Sequence, residues 1–304
     1  MDRLDTMSVF LAVVEAGSLS AAGRRLGMPL ATVSRKLSQL ESHLDARLLN
    51  RSTRKLELTE AGRAYVDACK RILGDIADAE RAAAGEYSAP QGELTISAPI
   101  VFGRLHVLPV VAAFLQAYPD VDIRLALSDR NAHLLDEHVD VAVRIGVLPD
   151  SRLNARPLGT LRRVVCASPA YWKAHGKPKT PADLARHACV TFDAGGAPDT
   201  WTFRAGRHDG AGTTTIAVRS RLAVNTAEAA ADAAVAGVGP TRLLSYQAEA
   251  ARRAAQLVVA LADFEPGRVP VNLVFDAQQR VPLKLRAFLE FAAPRLKKQI
   301  AALP

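Results

Sequence analysis

Cysteine is scarce: Cys69, Cys166 and Cys189 are the three in 304 residues, and no two form a CxxC pair. A disulfide framework is thereby excluded, and the three are expected as reduced, mostly buried thiols. Long hydrophobic runs are missing too. Stretches such as Val107–Leu115 reach about half the length of a membrane span, and Pro109 interrupts that one, so no transmembrane helix and no membrane partner are expected. The opening residues carry Asp2 and Asp5 where a signal peptide would carry a basic region, which predicts a cytoplasmic protein. Catalytic signatures are absent as well: there is no GxSxG and no P-loop, and Gly237-Val-Gly239 runs into proline rather than a nucleotide-binding helix. His133, Asp136, Glu137 and His138 have the residue types of a metal cluster but lack the i, i+4 histidine pair. His187 and Cys189 could suggest a thiol site, but the apolar Ala188–Phe192 reads as a buried strand. No enzyme, cofactor or metal site is expected.

What is present is an ordinary globular composition, 49% apolar and 23% charged, over a length that suits about two domains. The net charge of +8 raises nucleic acid as a partner, so its distribution matters. Residues 1–90 hold 13 Lys/Arg against 12 Asp/Glu, so bulk charge does not mark a DNA surface there. Within 24–63, however, nine basic residues face four acidic ones, and that local excess is the electrostatic signal.

The first 90 residues read as helices with one short break, and the rest alternates strand-like and helix-like segments. The boundary is Tyr87–Gly92, where Pro90 and Gly92 end a long helical pattern. Met7, Phe10, Leu11 and Val14 predict a first helix stopping near Gly17, and Ser18 caps a second running to Gly27. A third spans Leu30–Leu44, with Val33, Leu37, Leu40 and Leu44 as its apolar stripe. Two short helices joined by Gly27-Met28-Pro29 describe a helix-turn-helix. The third helix then fits a major groove, and Thr32, Ser34, Arg35, Lys36 and Ser38 are its candidate DNA contacts; Arg35 can pair bidentately with guanine. Arg47–Thr59 alternates apolar and polar residues around a basic turn, the pattern of a two-stranded wing whose Arg51, Thr53 and Arg54 would hold phosphates. A helix of about 27 residues follows from Glu60, capped by Thr59. Tyr65, Cys69, Ile72, Ile76, Ala79 and Ala83 fall at a/d spacing, which suits packing on the same domain or self-pairing into a dimer on a palindromic site.

Gly17–Leu26, Thr32–Arg35, Leu40-Glu41, Leu48-Leu49, Arg51–Arg54 and Leu58–Gly62 together resemble the N-terminal signature of LysR-type transcriptional regulators. The likeness continues in Asp140–Gly146, Ala167–Tyr171 and Ala236–Gly239, so it covers nearly the whole chain. It implies an α plus α/β protein: a winged helix-turn-helix, a dimerising linker helix, and a two-lobed α/β effector domain resembling type 2 periplasmic binding proteins. The expected segments are 1–59, 60–91 and 92–304, with lobe I at about 92–162 and 268–304 and lobe II at about 163–267. The implied partners are double-stranded DNA, a small-molecule effector and further copies of the chain as a dimer or dimer of dimers, with RNA polymerase left open. Two positions depart from the family pattern. Pro29 and Leu30 stand where many members have serine and glutamine, and Pro240 stands where an aliphatic residue is usual.

From 93 onward the strand and helix order is that of an α/β fold with a largely parallel sheet: Leu94–Ser97, Phe102–Tyr118, Val121–Leu127, a short helix, then Val139–Ile145. Ligands in such folds sit beyond the carboxyl ends of strands, near helix N-termini. Ser97, Pro99, Ser128, Arg144 and Gly146 are the candidates from one lobe. Asn225 and Thr226, opening an alanine-rich helix with a capping box to Glu228, are those from the other. A small carboxylate is the expected effector.

Overall fold

The computed structural model describes residues 2–51, 56–83, 89–129, 139–148, 153–192, 199–206, 212–276 and 281–303. They fall into two compact units, Met1–Ala89 and Pro90–Pro304.

In the first unit, α1 (Arg3–Ala16) starts where the Asp2 carboxylate accepts from the Leu4 and Asp5 N–H groups, and stops at Gly17 with φ +67°. α2 (Leu19–Leu26) begins at Ser18, whose hydroxyl accepts from the Ala21 N–H at 3.1 Å, and ends at Gly27 with φ +63°. After Met28 and Pro29, α3 (Leu30–Leu44) runs without a side-chain cap. A wing of β1 (Leu49–Arg51) and β2 (Leu56–Leu58) pairs antiparallel with Leu49 opposite Leu58, and α4 (Glu60–Ala83) follows. One core joins them: Val9, Phe10 and Val13 of α1, Ala22 of α2, Val33, Leu37 and Leu40 of α3, Leu48 and Leu49 at the wing, and Cys69 of α4. Burying each large side chain contributes roughly 1.5–3 kcal/mol. The first half of the heptad seam is therefore intramolecular: Cys69 is fully buried in this core, and the Tyr65 ring lies 5.7 Å from Phe10. Farther along α4, Ile72 and Ile76 are only half-buried.

The second unit opens with β3 (Gly92–Ala98), α5 (Ile100–Phe102), a π turn at Gly103–Val107 and α6 (Leu108–Ala117). Ile100–Ala117, 18 residues, is long and apolar enough to cross a membrane by length and composition. Here Val101, Phe102, Val107, Val110, Val111 and Phe114 are buried in the core. There follow β4 (Val121–Leu127), β5 (Val141–Ile145), β6 (Asn154–Leu161), β7 (Arg163–Ala167), α7 (Pro169–His175), β8 (Ala188–Phe192), β9 (Thr200–Arg204) and β10 (Thr213–Ala217). The chain then continues through β11 (Arg219–Val224), α8 (Ala227–Val235), β12 (Thr241–Leu244), α9 (Ser245–Arg253), β13 (Val258–Ala260), β14 (Val269–Phe275) and α10 (Leu283–Ala301). Two five-stranded sheets result, ordered β4-β3-β5-β14-β6 and β11-β8-β12-β7-β13, with β9–β10 a separate hairpin. Each sheet carries one lobe, and the chain crosses between them after Leu161 and again after Ala260.

Four of the five strands in each sheet run the same way, as a largely parallel sheet requires, and one strand in each is reversed. In the first sheet β3 is parallel to β4 and β5, but β14 is antiparallel to both β5 and β6; in the second, β8 is parallel to β11 and β12, while β7 is antiparallel to β12 and β13. In the first sheet the reversed strand is β14, on which the chain returns from the second lobe, and in the second sheet it is β7, on which the chain enters. Pro240 fits just before β12, where its carbonyl accepts from the Val190 N–H at 2.8 Å. The short helix expected between β4 and β5 lies outside the described residues.

Candidate DNA interface and interlobe cleft

On α3 the alternation of buried and open positions places Val33, Leu37 and Leu40 against the core and leaves Arg35 and Ser38 exposed, with Thr32 and Ser34 half-buried at the edge. Lys36 departs from the outward set. Its ammonium pairs with the Asp5 carboxylate of α1, so that charge is engaged inside the domain. Leu30, 51% exposed, opens the helix with an apolar surface. The wing is fixed to α3 by Glu41, whose Oε1 accepts from the backbone N–H of Leu48 at 2.9 Å and of Leu49 at 3.2 Å. Thr59 joins the wing to α4: its hydroxyl donates to the Arg47 carbonyl at 2.7 Å and accepts from the Gly62 N–H at 2.9 Å. Arg51 ends β1 opposite Leu56. Thr53 and Arg54 lie outside the described residues.

In the second unit the candidate residues gather at strand ends. Ser97 is buried within β3, Pro99 precedes α5, and the Ser128 N–H donates to the Ala98 carbonyl at 3.0 Å, which brings these three together. Arg144 lies on β5 opposite Asn272 of β14, and Gly146, with φ +130°, donates its N–H to the Pro270 carbonyl at 2.9 Å. In the other lobe Asn225 follows β11, and the Thr226 hydroxyl caps α8 by accepting from the Ala229 N–H at 3.3 Å. The expected capping box does not form. With Thr226 as the cap, Glu228 is one residue too early to close it, and instead it reaches across to Arg104 of the π turn, Nη2 to Oε1 2.8 Å.

That ion pair and an aromatic cluster join the lobes. Tyr246 of α9 lies 5.5 Å edge-on from Phe102 and 5.7 Å from His106. Asp129 sits beside them, its Oδ1 accepting from the Ile100 N–H at 3.0 Å and its Oδ2 buried without a partner. Burial raises the Asp129 carboxyl above the ordinary range; the Ile100 N–H pulls it down, and Glu228 adds a smaller upward push. Burial also lowers His106 and raises Tyr246. Sequence reasoning missed Arg104, His106, Asp129 and Tyr246. Only Asp129, beside Ser128 at a strand end, carried a signal that could have found it. Among the described residues no group of three or more His, Cys, Asp or Glu could hold a metal. His133, Asp136, Glu137 and His138 lie outside them. Cys166 and Cys189 are free and buried, and burial raises both thiols to about 12, which disfavours the reactive thiolate.

Residues 4–63 match the model of the bacterial regulatory helix-turn-helix protein, lysR family, and residues 88–297 match that of the LysR substrate binding domain. An HTH-type transcriptional regulator of Xanthomonas campestris pv. campestris is 35% identical over 295 residues, 97% of this chain and 86% of that protein. The structure of CrgA, a LysR-type transcriptional regulator from Neisseria meningitidis, superposes with a TM-score of 0.60 at 32% identity, covering 96% of this chain and 98% of CrgA. The full-length Vibrio cholerae virulence activator AphB gives a TM-score of 0.60 at 29% identity over 95% of this chain and 98% of its own. A helix-turn-helix with a wing, followed by a two-lobed α/β unit, is thus shared from end to end with known regulators, and the chain belongs to the LysR family of bacterial transcriptional regulators.

Proposed function

We propose that the protein reads a palindromic DNA site through a pair of α3 helices and that a small molecule in the interlobe cleft changes how that pair sits on DNA. The carrying observation is the outward guanidinium of Arg35, held on a helix whose opposite face is locked by Val33, Leu37 and Leu40. Arg35 pairs with guanine, Thr32, Ser34 and Ser38 contact neighbouring bases or phosphates, and Arg51, Thr53 and Arg54 hold the backbone. The half-buried Ile72 and Ile76 of α4 supply the dimer seam, and two such dimers combine on longer sites. The protein works in the cytoplasm without a catalytic step, and RNA polymerase is its partner where it activates.

The effector in this reading is a small carboxylate, held by Ser128, Asn225 and Thr226 with Arg144 and Gly146 at the strand end beside Ser97 and Pro99. Glu228 is paired with Arg104, which partly offsets the acidic charge such an anion meets, and burial raises the Asp129 carboxyl above the ordinary range. Ligand binding favours one arrangement of the lobes over the other.

Selection of genomic fragments near physiological salt, by the wild type and by Arg35→Ala, tests the DNA reading. A palindromic site recovered by the wild type and lost by the variant is expected. Equal, sequence-independent recovery by both would leave only phosphate contacts and favour a solute-binding module whose helical N-terminus merely dimerises. For the cleft, the paired Ser128→Ala and Thr226→Ala variant should respond less to effector with DNA binding intact.

A further inference from the structure

In the second sheet, β7 and β12 run antiparallel with Val165 opposite Arg242 and Arg163 opposite Leu244. Side chains alternate along a strand, so Arg163, Val165, Arg242 and Leu244 share one face, and the two arginines are diagonal neighbours across the pair. That face lies under β9–β10: Val165 packs with Trp201 and Phe203, and the Arg242 guanidinium carbon is 5.5 Å from the Trp201 ring. The opposite face, with Val164, Cys166 and Leu243, packs on the alanines of α8, the helix that Thr226 caps. The arginine pair is therefore separate from the cleft residues.

Among the described residues no carboxylate answers this charge. Arg242 reaches only the Thr200 carbonyl, at a long 3.4 Å through Nη2, and its Nη1 is buried without a hydrogen bond. Burial, and then the positive charge of Arg163, lower the Arg242 guanidinium to about 10, while burial lowers Arg163. Both remain cationic at neutral pH. Two half-buried like charges that no carboxylate among the described residues offsets oppose folding, and guanidinium forks match oxyanions in a bidentate geometry. We propose that Arg163 and Arg242 together bind a small oxyanion, a carboxylate or a phosphate, against the Trp201 wall of the second lobe.

Thermal unfolding of the full chain at constant ionic strength, with chloride replaced stepwise by inorganic phosphate or by acetate, tests this. Wild type should gain about 5–10 °C at a hundredfold excess over the dissociation constant. Arg163→Gln should gain less than about 2 °C. In chloride alone that variant should be at least as stable as wild type, since it loses the repulsion. A response to phosphate alone, or to acetate alone, identifies the anion class. Equal responses from wild type and variant to both anions, or none from wild type, would overturn the proposal. Should Arg163→Gln fail to fold, Trp201 fluorescence in a Trp172→Phe background gives a second readout: a saturable change with either anion supports the site, and its absence with both overturns it.

Discussion

Arg104 and Glu228 meet at 2.8 Å from opposite lobes, one on the π turn of the first and the other in the opening turn of α8 in the second. Both side chains are about half exposed, 55% and 42%, so the pair is screened by water and salt. Glu228→Gln should lower stability by less than about 1 kcal/mol at low salt. The difference should vanish by about 1 M salt, where the Debye length is roughly 3 Å. A double-mutant cycle with Arg104→Ala, followed by urea unfolding at both salt concentrations, reads the coupling directly. A salt-independent loss would place the role of Glu228 elsewhere than in this pair.

Glu41 matters more for its size, because its one oxygen answers two buried backbone N–H groups, those of Leu48 and Leu49. Glu41→Ala leaves both donors without that acceptor and should cost about 1–3 kcal/mol. Glu41→Gln keeps an acceptor there and should cost less than Glu41→Ala. Chemical denaturation of the full chain checks the order of the three proteins. DNA affinity should fall in parallel, since Glu41 fixes the wing to α3.

Local signals made the first unit readable. Gly17 and Gly27 end their helices in the left-handed region, Ser18 caps the second, and Thr59 caps the fourth through the Gly62 N–H, all as short-range chemistry requires. The stripe of Val33, Leu37 and Leu40 showed which face of α3 turns inward. Partner choice was less legible. Lys36 reads from sequence as one of the outward candidates of α3, and its pairing with Asp5, 31 residues away, is a contact that only folding brings about. Glu228 looks like a capping residue until Arg104, separated by 124 positions, crosses from the other lobe. The direction of β14 escaped for the same reason: alternation marks a strand, but its neighbours are set by where the chain returns.

Asp129 gives the cleft a pH dependence of definite sign. Its carboxyl is raised in the folded state chiefly by burial, so the folded protein holds this proton more tightly than the unfolded chain. The favourable contribution is fully present below the unfolded value and is lost as pH rises through the folded one. Ionised Asp129 is therefore destabilising at neutral pH. Asp129→Asn preserves an oxygen for the Ile100 N–H and carries no charge, so it should be more stable than wild type at pH 7, with the two converging as pH falls below the usual carboxylate range. Unfolding midpoints of both proteins across that range test it; a gap that widens toward acid would contradict the assignment.

The cysteines report on the two units separately. Burial raises Cys69 to about 11, with the Tyr65 hydroxyl partly opposing it, and raises Cys166 and Cys189 to about 12. All three side chains are fully buried. Since the thiolate is the reactive form, labelling at pH 8 should be slower than that of an ordinary thiol by at least about a hundredfold. Reaction then waits for opening of the surrounding core. A variant keeping only Cys69 would time the opening of the N-terminal unit, and one keeping only Cys166 that of the effector unit. Oxyanion occupancy at Arg163 and Arg242 should slow Cys166 labelling and leave Cys69 unchanged, because Cys166 lies on the same strand as Arg163 while Cys69 belongs to the other core. Mass-spectrometric labelling rates with and without inorganic phosphate measure the contrast, and equal slowing at both cysteines would show a general salt effect instead.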